Sequence, residues 1–263
     1  MINVEYFDDR KIAIIELPDR DIDESTQWDF EDICSSISQD SKVRVVVLTS
    51  NSPDFVSTVW TSSFNLAPSV SAIKQPVLGV ISRNAHGIGL EILLACDIRV
   101  CVSTSEFSMS HLMHGVIPSN GGTQRLPRLV GQGRALEIIL TGRLVKAHEA
   151  LEMGMVHQIS DNDPVKDACL IAKKVASHGP KAAQYLKEVI YAGAESFRLL
   201  QHAEHERWAI YPLRVTRVFL DVAGGGQLSS YLVAGKNDRF EVGPSGVDCG
   251  CPTGTSGSDD DNV

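Results

Sequence analysis

Two stretches of the chain concentrate groups able to move protons or to hold developing negative charge. The first is Pro76–Asp97, PVLGVISRNAHGIGLEILLACD, where an apolar β-type run passes through Gly87, Ile88 and Gly89 into a helical pattern with Glu91 in its first turn. A helix start preceded by glycine leaves backbone N–H groups without intrahelical acceptors and presents the positive end of the helix dipole. Such a terminus can stabilise a phosphate or a developing oxyanion. The second stretch, Phe107–Gly131, carries His111, His114, Ser119, Asn120 and the pair Gly121 and Gly122 ahead of Gln124 and Arg125. A histidine changes charge near neutral pH, so a Glu and a His facing one substrate form a workable acid/base pair. Each group also has a purely structural reading. An acid in a first helical turn complements the dipole, a lone histidine is more often structural than catalytic, and Gln124 and Arg125 could cap, pair or face solvent.

Other chemistries fit the letters poorly. A dinucleotide fingerprint needs G-x-G-x-x-G, but Gly87 and Gly89 are followed by Ile92 where the third glycine belongs, and the motif does not follow the first strand. The six cysteines show neither a disulfide framework nor zinc-site spacing, and Cys249 and Cys251 alone make a weak metal site. His202, Glu204, His205 and Glu206 place two histidines one turn apart on a helical pattern, without the H-E-x-x-H spacing; the simpler reading is a solvated face, and no metal is expected. The net charge of −9 and the lack of a dense Lys/Arg cluster argue against nucleic acid as a partner. No apolar run is long enough for a membrane helix, so no membrane partner is expected. The opening MINVEYFDDRK is acidic and lacks a basic-then-apolar leader pattern, from which a cytoplasmic location is expected.

The elements that must position these residues alternate early and turn helical late. Lys11–Leu17, Val43–Ser50 and Pro76–Ser82 read as strands, the second a continuous apolar run suited to a parallel strand covered on both faces. An amphipathic helix spans about Glu24–Ser38 after an Asp-rich start, and Asp54–Gln75 reads as a loop. The helix beginning at the glycine turn leads into a return strand, IRVCVS, from Ile98. Helical patterns follow over Thr123–Val130, Gly133–Leu140, His148–Met153, Pro164–Ala176, Pro180–Ala192 and Ser196 to about Val222. The polar Gly243–Val263 tail has too few apolar residues to offset its ordering entropy and is expected to be disordered. The expected organisation is an α/β core over 1–195, a helical region over 196–242 and a tail over 243–263.

Three motifs, in order, resemble the crotonase superfamily, also called the enoyl-CoA hydratase/isomerase family. Ala85–Asp97 is similar to A-x-G-G-G-x-E-L-x-x-A-C-D, and Gly115–Gly131 to G-I-I-P-G-x-G-G-T-Q-R-L-P-R-x-x-G. Leu140–Ile159 is similar to L-T-G-x-x-x-x-A-x-E-A-x-x-x-G-L-V, and the resemblance as a whole runs from about Val43 to Phe197. It implies an α/β spiral of ββα units with a C-terminal helical region, assembled as a homotrimer or hexamer. It also implies an acyl-CoA thioester substrate, with coenzyme A entering as part of the substrate and no separate cofactor.

By position in the motifs, the resemblance places one backbone donor of an oxyanion hole at Ile88 and the other at Val59, within Phe55–Trp60, of which only the Phe matches F-x-A-G-A-D-L. Glu91 matches the first of the hydratases' two catalytic glutamates; the second position holds His111, preceded by Ser110 where a Pro is usual. Gly87, Gly89, Pro118 and Asn120 fall at substrate-binding positions. The segment between Trp60 and Pro76 is shorter than the family's helix-bearing wall of the acyl pocket. The expected function is an acyl-CoA lyase or isomerase that stabilises an enolate, with Glu91 and His111 as its acid/base pair. Alternatives are decarboxylation or hydrolysis of a thioester, suggested by the missing second Glu and by polar Ser119 and Asn120, and a non-catalytic subunit of the same fold.

Overall fold

The computed structural model describes residues 2–19, 23–56 and 66–195. Val59, the His202–Glu206 cluster, the region 196–242 and the tail 243–263 lie outside the described residues.

The chain begins with a hairpin, β1 (Asn3–Phe7) and β2 (Ile12–Leu17), antiparallel with Tyr6 opposite Ala13. Helix α1 (Glu24–Gln39) follows, its start fixed by Asp23, whose carboxylate accepts from the Thr26 N–H at 2.7 Å. An N-cap of this kind satisfies one of the orphan donors of a first turn. Strand β3 (Val45–Ser50) is buried along its whole length and pairs in parallel with β2, as a continuous apolar run predicts.

The expected loop over Asp54–Gln75 is corrected in one place: Ala67–Ser71 forms a short helix, α2, with Pro68 in its first turn. Proline is tolerated there because its missing N–H would lack a helical acceptor in any case. Strand β4 (Val77–Ile81) then leads to the two-residue β5 (Ala85–His86) and helix α3 (Ile88–Leu94). Strands β6 (Ile98–Val102) and β7 (Glu106–Ser108) and a 3₁₀ turn over Ser110–His114 come next. Beyond them are α4 (Gly122–Val130), α5 (Gln132–Thr141), β8 (Val145–Lys146), α6 (Ala147–Glu152), β9 (Gln158–Ser160), α7 (Pro164–Ala176) and α8 (Pro180–Glu195).

The larger sheet has the order β1-β2-β3-β4-β6-β9, parallel except for β1, and the smaller has the order β5-β7-β8. Alternation along the strands divides the apolar residues between two faces. Ile12, Ile14, Val45, Val47, Leu78, Val80 and Val100 pack against the alanine stripe Ala168, Ala172 and Ala176 of α7. Ala13, Ile15, Val46, Leu48, Val77 and Ile81 face the main core with Phe30, Leu90, Leu93 and Phe107. Helix α3 therefore lies within the larger core, and every one of its residues is buried, Glu91 included.

A buried arginine ties α3 to the sheet's far edge. Arg99 donates through Nε to the Met155 carbonyl at 2.6 Å and through Nη1 to those of Cys96 at 2.6 Å and Leu93 at 3.3 Å. Its backbone N–H donates to His157 Nδ1 at 3.1 Å. Burial, and secondarily the Arg99 charge, hold His157 below its usual value of 6.5. The sign is fixed: a histidine that is harder to protonate folded than unfolded contributes stability above pH 6.5, lost as pH falls toward the depressed folded value. His157→Asn keeps an acceptor for the Arg99 N–H without a proton to gain. Urea midpoints of the wild type are expected to fall more between pH 7.5 and 5.5 than those of His157→Asn; equal falls would show that His157 contributes nothing to the acid sensitivity.

Candidate active site

Local backbone geometry explains how Glu91 comes to its place. β5 ends at His86, and Gly87 turns the chain with φ 51° and ψ −120°, in the region that favours glycine. The Gly87 N–H donates to the Ser108 carbonyl at 2.9 Å, continuing the parallel pairing of β5 with β7. α3 starts immediately afterwards, so the Ile88 N–H belongs to the first turn, whose donors have no acceptor within the helix. The loop that leads toward Val59 is fastened beside this turn. The Phe55 N–H donates to the Asn84 carbonyl at 2.8 Å, and a Cβ on Gly89 would stand 3.2 Å from the Val56 nitrogen. His86 adds to the fastening, with Nδ1 2.9 Å from Ser108 Oγ and Nε2 3.6 Å from Asp54 Oδ1.

Glu91 is completely enclosed, and both of its oxygens are engaged. Oε1 accepts from the backbone N–H of Asn120 and of Gly122, each at 2.8 Å. Oε2 lies 3.1 Å from Nε2 of His111, whose side chain is 3% exposed. A buried carboxylate is tolerated only when donors replace the water it has lost, and here two fixed amides and an imidazole do so. The structure thus joins two residues singled out from the sequence, twenty positions apart, in one direct hydrogen bond.

The loop after the 3₁₀ turn supplies the two amides. Pro118 and Asn120 are buried in it, while Ser119 and His114 are exposed. Asn120, placed by the resemblance at a substrate-binding position, gives its backbone N–H to Glu91. Arg125, which could have faced solvent, reaches back from α4: Nη1 donates to the Asn120 carbonyl at 2.7 Å and Nη2 to Ser71 Oγ at 2.8 Å. Ser71 carries no signal of its own in the sequence, because its importance comes from a contact across 54 positions. Met109 closes the other side, its terminal methyl 3.0 Å from where a Cβ on Gly122 would sit.

Three buried thiols, Cys34, Cys96 and Cys101, are not candidates for nucleophilic work. Burial pushes Cys34 and Cys96 up to about 12 and Cys101 up to about 11, so all three are thiols at neutral pH. Among the described residues no group of three or more His, Cys, Asp or Glu side chains could hold a metal, and no helix is long and apolar enough to cross a membrane.

Residues 52–211, more than half of the chain, match the family model described as enoyl-CoA hydratase/isomerase. The short-chain-enoyl-CoA hydratase of Clostridium acetobutylicum is 37% identical over 124 residues, covering 47% of this chain and 48% of that protein. The human mitochondrial methylglutaconyl-CoA hydratase is 31% identical over 182 residues, covering 61% of this chain and 54% of that protein. The chain thus spans about half the length of the curated relatives it matches. Among solved structures, the enoyl-CoA hydratase from Bacillus anthracis aligns with a TM-score of 0.75 at 29% identity, covering 83% of this chain and 95% of that one.

Proposed function

Since the chain belongs to the enoyl-CoA hydratase/isomerase family, we propose that it acts on an acyl-CoA thioester as a lyase or isomerase, with Glu91 and His111 as one coupled acid/base pair. The observation that carries this reading is the enclosed carboxylate of Glu91, fixed by two amides on one oxygen and bonded to His111 on the other.

The chemistry follows from charge. Adding water across an enoyl thioester, or moving its double bond, places negative charge on the thioester oxygen. Backbone donors held in a dry site stabilise that charge without reorganising, an effect worth about 3–4 kcal/mol per donor. Ile88, in the first turn of α3, is the first such donor, and the second is assigned to Val59 by its position in the motif alone.

In hydration, Glu91 takes a proton from water as its oxygen bonds to Cβ, and protonated His111 gives a proton to Cα. One water O–H bond, one His111 N–H bond and the Cα–Cβ π bond break, while one C–O bond, one C–H bond and one O–H bond on Glu91 form. The proton gained by Glu91 then crosses the 3.1 Å bond to His111, which returns the pair to its starting state. This direct contact differs from two separated carboxylates holding a water between them, and it suits a site in which one acidic position is occupied by histidine. Gly87 and Gly89 keep the turn compact beside the substrate, and the buried Pro118 and Asn120 shape the opposite wall. Exposed apolar side chains at Met113, Ile117, Leu136 and Leu140 support assembly of copies of the chain as a trimer or hexamer.

The test is a mass-spectrometric screen of the purified protein against enoyl-, 3-hydroxyacyl- and malonyl-type CoA thioesters. A product heavier or lighter by one water, formed by the wild type and by neither Glu91→Gln nor His111→Ala, is the expected result. Loss of carbon dioxide, or release of free thiol, would replace the reading with decarboxylation or hydrolysis. No product from any thioester would leave the fold as a binding or assembly subunit.

A further inference from the structure

We infer that Arg125 is a positioning residue, whose guanidinium clamps the Asn120–Gly122 loop so that two backbone N–H groups stay aimed at Glu91; the inference rests on the proposed role of Glu91. Oε1 of Glu91 takes both of its hydrogen bonds from this loop, at 2.8 Å each. The loop has no regular pairing of its own, since it lies between the 3₁₀ turn and the first residue of α4. Arg125 holds it from within α4: Nη1 donates to the Asn120 carbonyl at 2.7 Å, on the same residue whose N–H donates to Glu91.

The second arm gives the clamp its direction. Nη2 donates to Ser71 Oγ at 2.8 Å, and the Ser71 hydroxyl donates in turn to the Ala67 carbonyl at 2.7 Å. Arg125 therefore bolts the Glu91 loop to α2, in the short segment that stands where the family carries its longer acyl-pocket wall. Only a planar fork can serve two acceptors in different directions, which a lysine ammonium on a flexible stem does poorly. Burial lowers the affinity of Arg125 for its proton, and the Glu91 charge is among the groups that oppose that effect. The space is fitted to this arrangement: a Cβ on Gly121 would collide with Nη1 of Arg125, and Gly121 has φ 88°.

The test uses the full chain with crotonyl-CoA as probe, comparing the wild type with Arg125→Ala, Arg125→Lys, Ser71→Ala, Glu91→Gln and the Arg125→Ala/Glu91→Gln double variant. Misplacing a reacting group by about 1 Å costs on the order of 100-fold, so Arg125→Ala is expected to lower kcat by about that factor. KM should stay within about twofold, because the lost interaction acts in the transition state rather than in binding. Arg125→Lys should recover part of the loss and Ser71→Ala should show a smaller one. The double variant should be no slower than Glu91→Gln alone, since Arg125 acts through Glu91.

Amide hydrogen exchange over 118–123 gives a readout that needs no turnover, and Arg125→Ala should exchange at Asn120 and Gly122 about tenfold faster than wild type. Unchanged exchange at these amides overturns the clamp, whether or not crotonyl-CoA is turned over. Independent, additive losses in the double variant overturn it as well. A Glu91→Gln protein with full turnover instead overturns the reading beneath it.

Discussion

Glu91→Gln is expected to lower turnover of the accepted thioester by about 10²–10⁴-fold while leaving the fold intact, the range typical for removing one acid/base group. The two halves of this expectation come from different oxygens. The Gln carbonyl can occupy the place of Oε1 and still accept from the Asn120 and Gly122 amides, which preserves the packing of an enclosed side chain. Its amide nitrogen then faces His111 in place of Oε2, where it can donate but cannot take up a proton from water or pass one across the 3.1 Å contact. The variant therefore separates structure from proton transfer. Thermal midpoints within a few degrees of wild type, together with the kinetic loss, are the expected pair of results. A Glu91→Gln protein with wild-type turnover would reduce the carboxylate to a helix-dipole partner, the plain reading its place in the first turn of α3 also allows.

Much of this architecture was legible in the chain. The runs Ile12–Leu17, Val45–Ser50 and Val77–Ile81 are strands because largely apolar runs rich in Val and Ile suit a sheet covered on both faces, and the division of Val45 and Val47 from Val46 and Leu48 follows from the pleat. Pro164–Ala176 matches its expected bounds because Asp163 caps one end and the alanine stripe fixes the buried face. The three motifs carried the recognition, and the crotonase-type α/β fold that they implied is that of the aligned hydratase structure. The short strands β8 and β9 have no strand signature in the sequence, since two or three residues carry no periodicity and owe their state to a neighbour. Helix α2 escaped for a related reason: Ala67–Ser71 is a single turn with Pro68 and two serines in it, stabilised by burying Ala67 and Val70.

The site divides in the same way between local and distant information. Glu91 and His111 could be selected because each lies in a motif of known spacing, and the turn at Gly87 follows from the glycine letter itself. The sequence does not reveal that the amides of Asn120 and Gly122 are Glu91's partners, because a backbone N–H has no letter of its own. Arg125 and Ser71 are ordinary surface types one by one, and they become informative only when 54 positions of chain are folded between them.

Gly122→Ala is expected to be the most damaging change that alters no functional group. Gly122 opens α4, and its backbone does not demand glycine through a positive φ; the constraint is space. A Cβ there would stand 2.8 Å from Oε1 of Glu91, 3.0 Å from its Cγ and 3.0 Å from the Met109 terminal methyl. The methyl of Met109 can swing aside at small cost. Glu91 has no such freedom, because moving Oε1 away from the intruding carbon strains the bonds to Asn120 and Gly122 and shifts Oε2 relative to His111. Overpacking a filled interior costs about 1–3 kcal/mol, and displacement of the carboxylate by even part of an ångström should lower turnover by about 100-fold. Gly133→Ala provides the matched comparison, since a Cβ at that helical position meets nothing within 4 Å. It should leave turnover unchanged and raise stability by about 0.5–1 kcal/mol, through the restricted unfolded chain and better helix propensity. Measuring kcat and the urea midpoint for both variants distinguishes a fitted cavity around Glu91 from a general intolerance of added methyl groups. Wild-type turnover in Gly122→Ala would mean that the carboxylate can move without consequence, so its close confinement would no longer support a role in proton transfer.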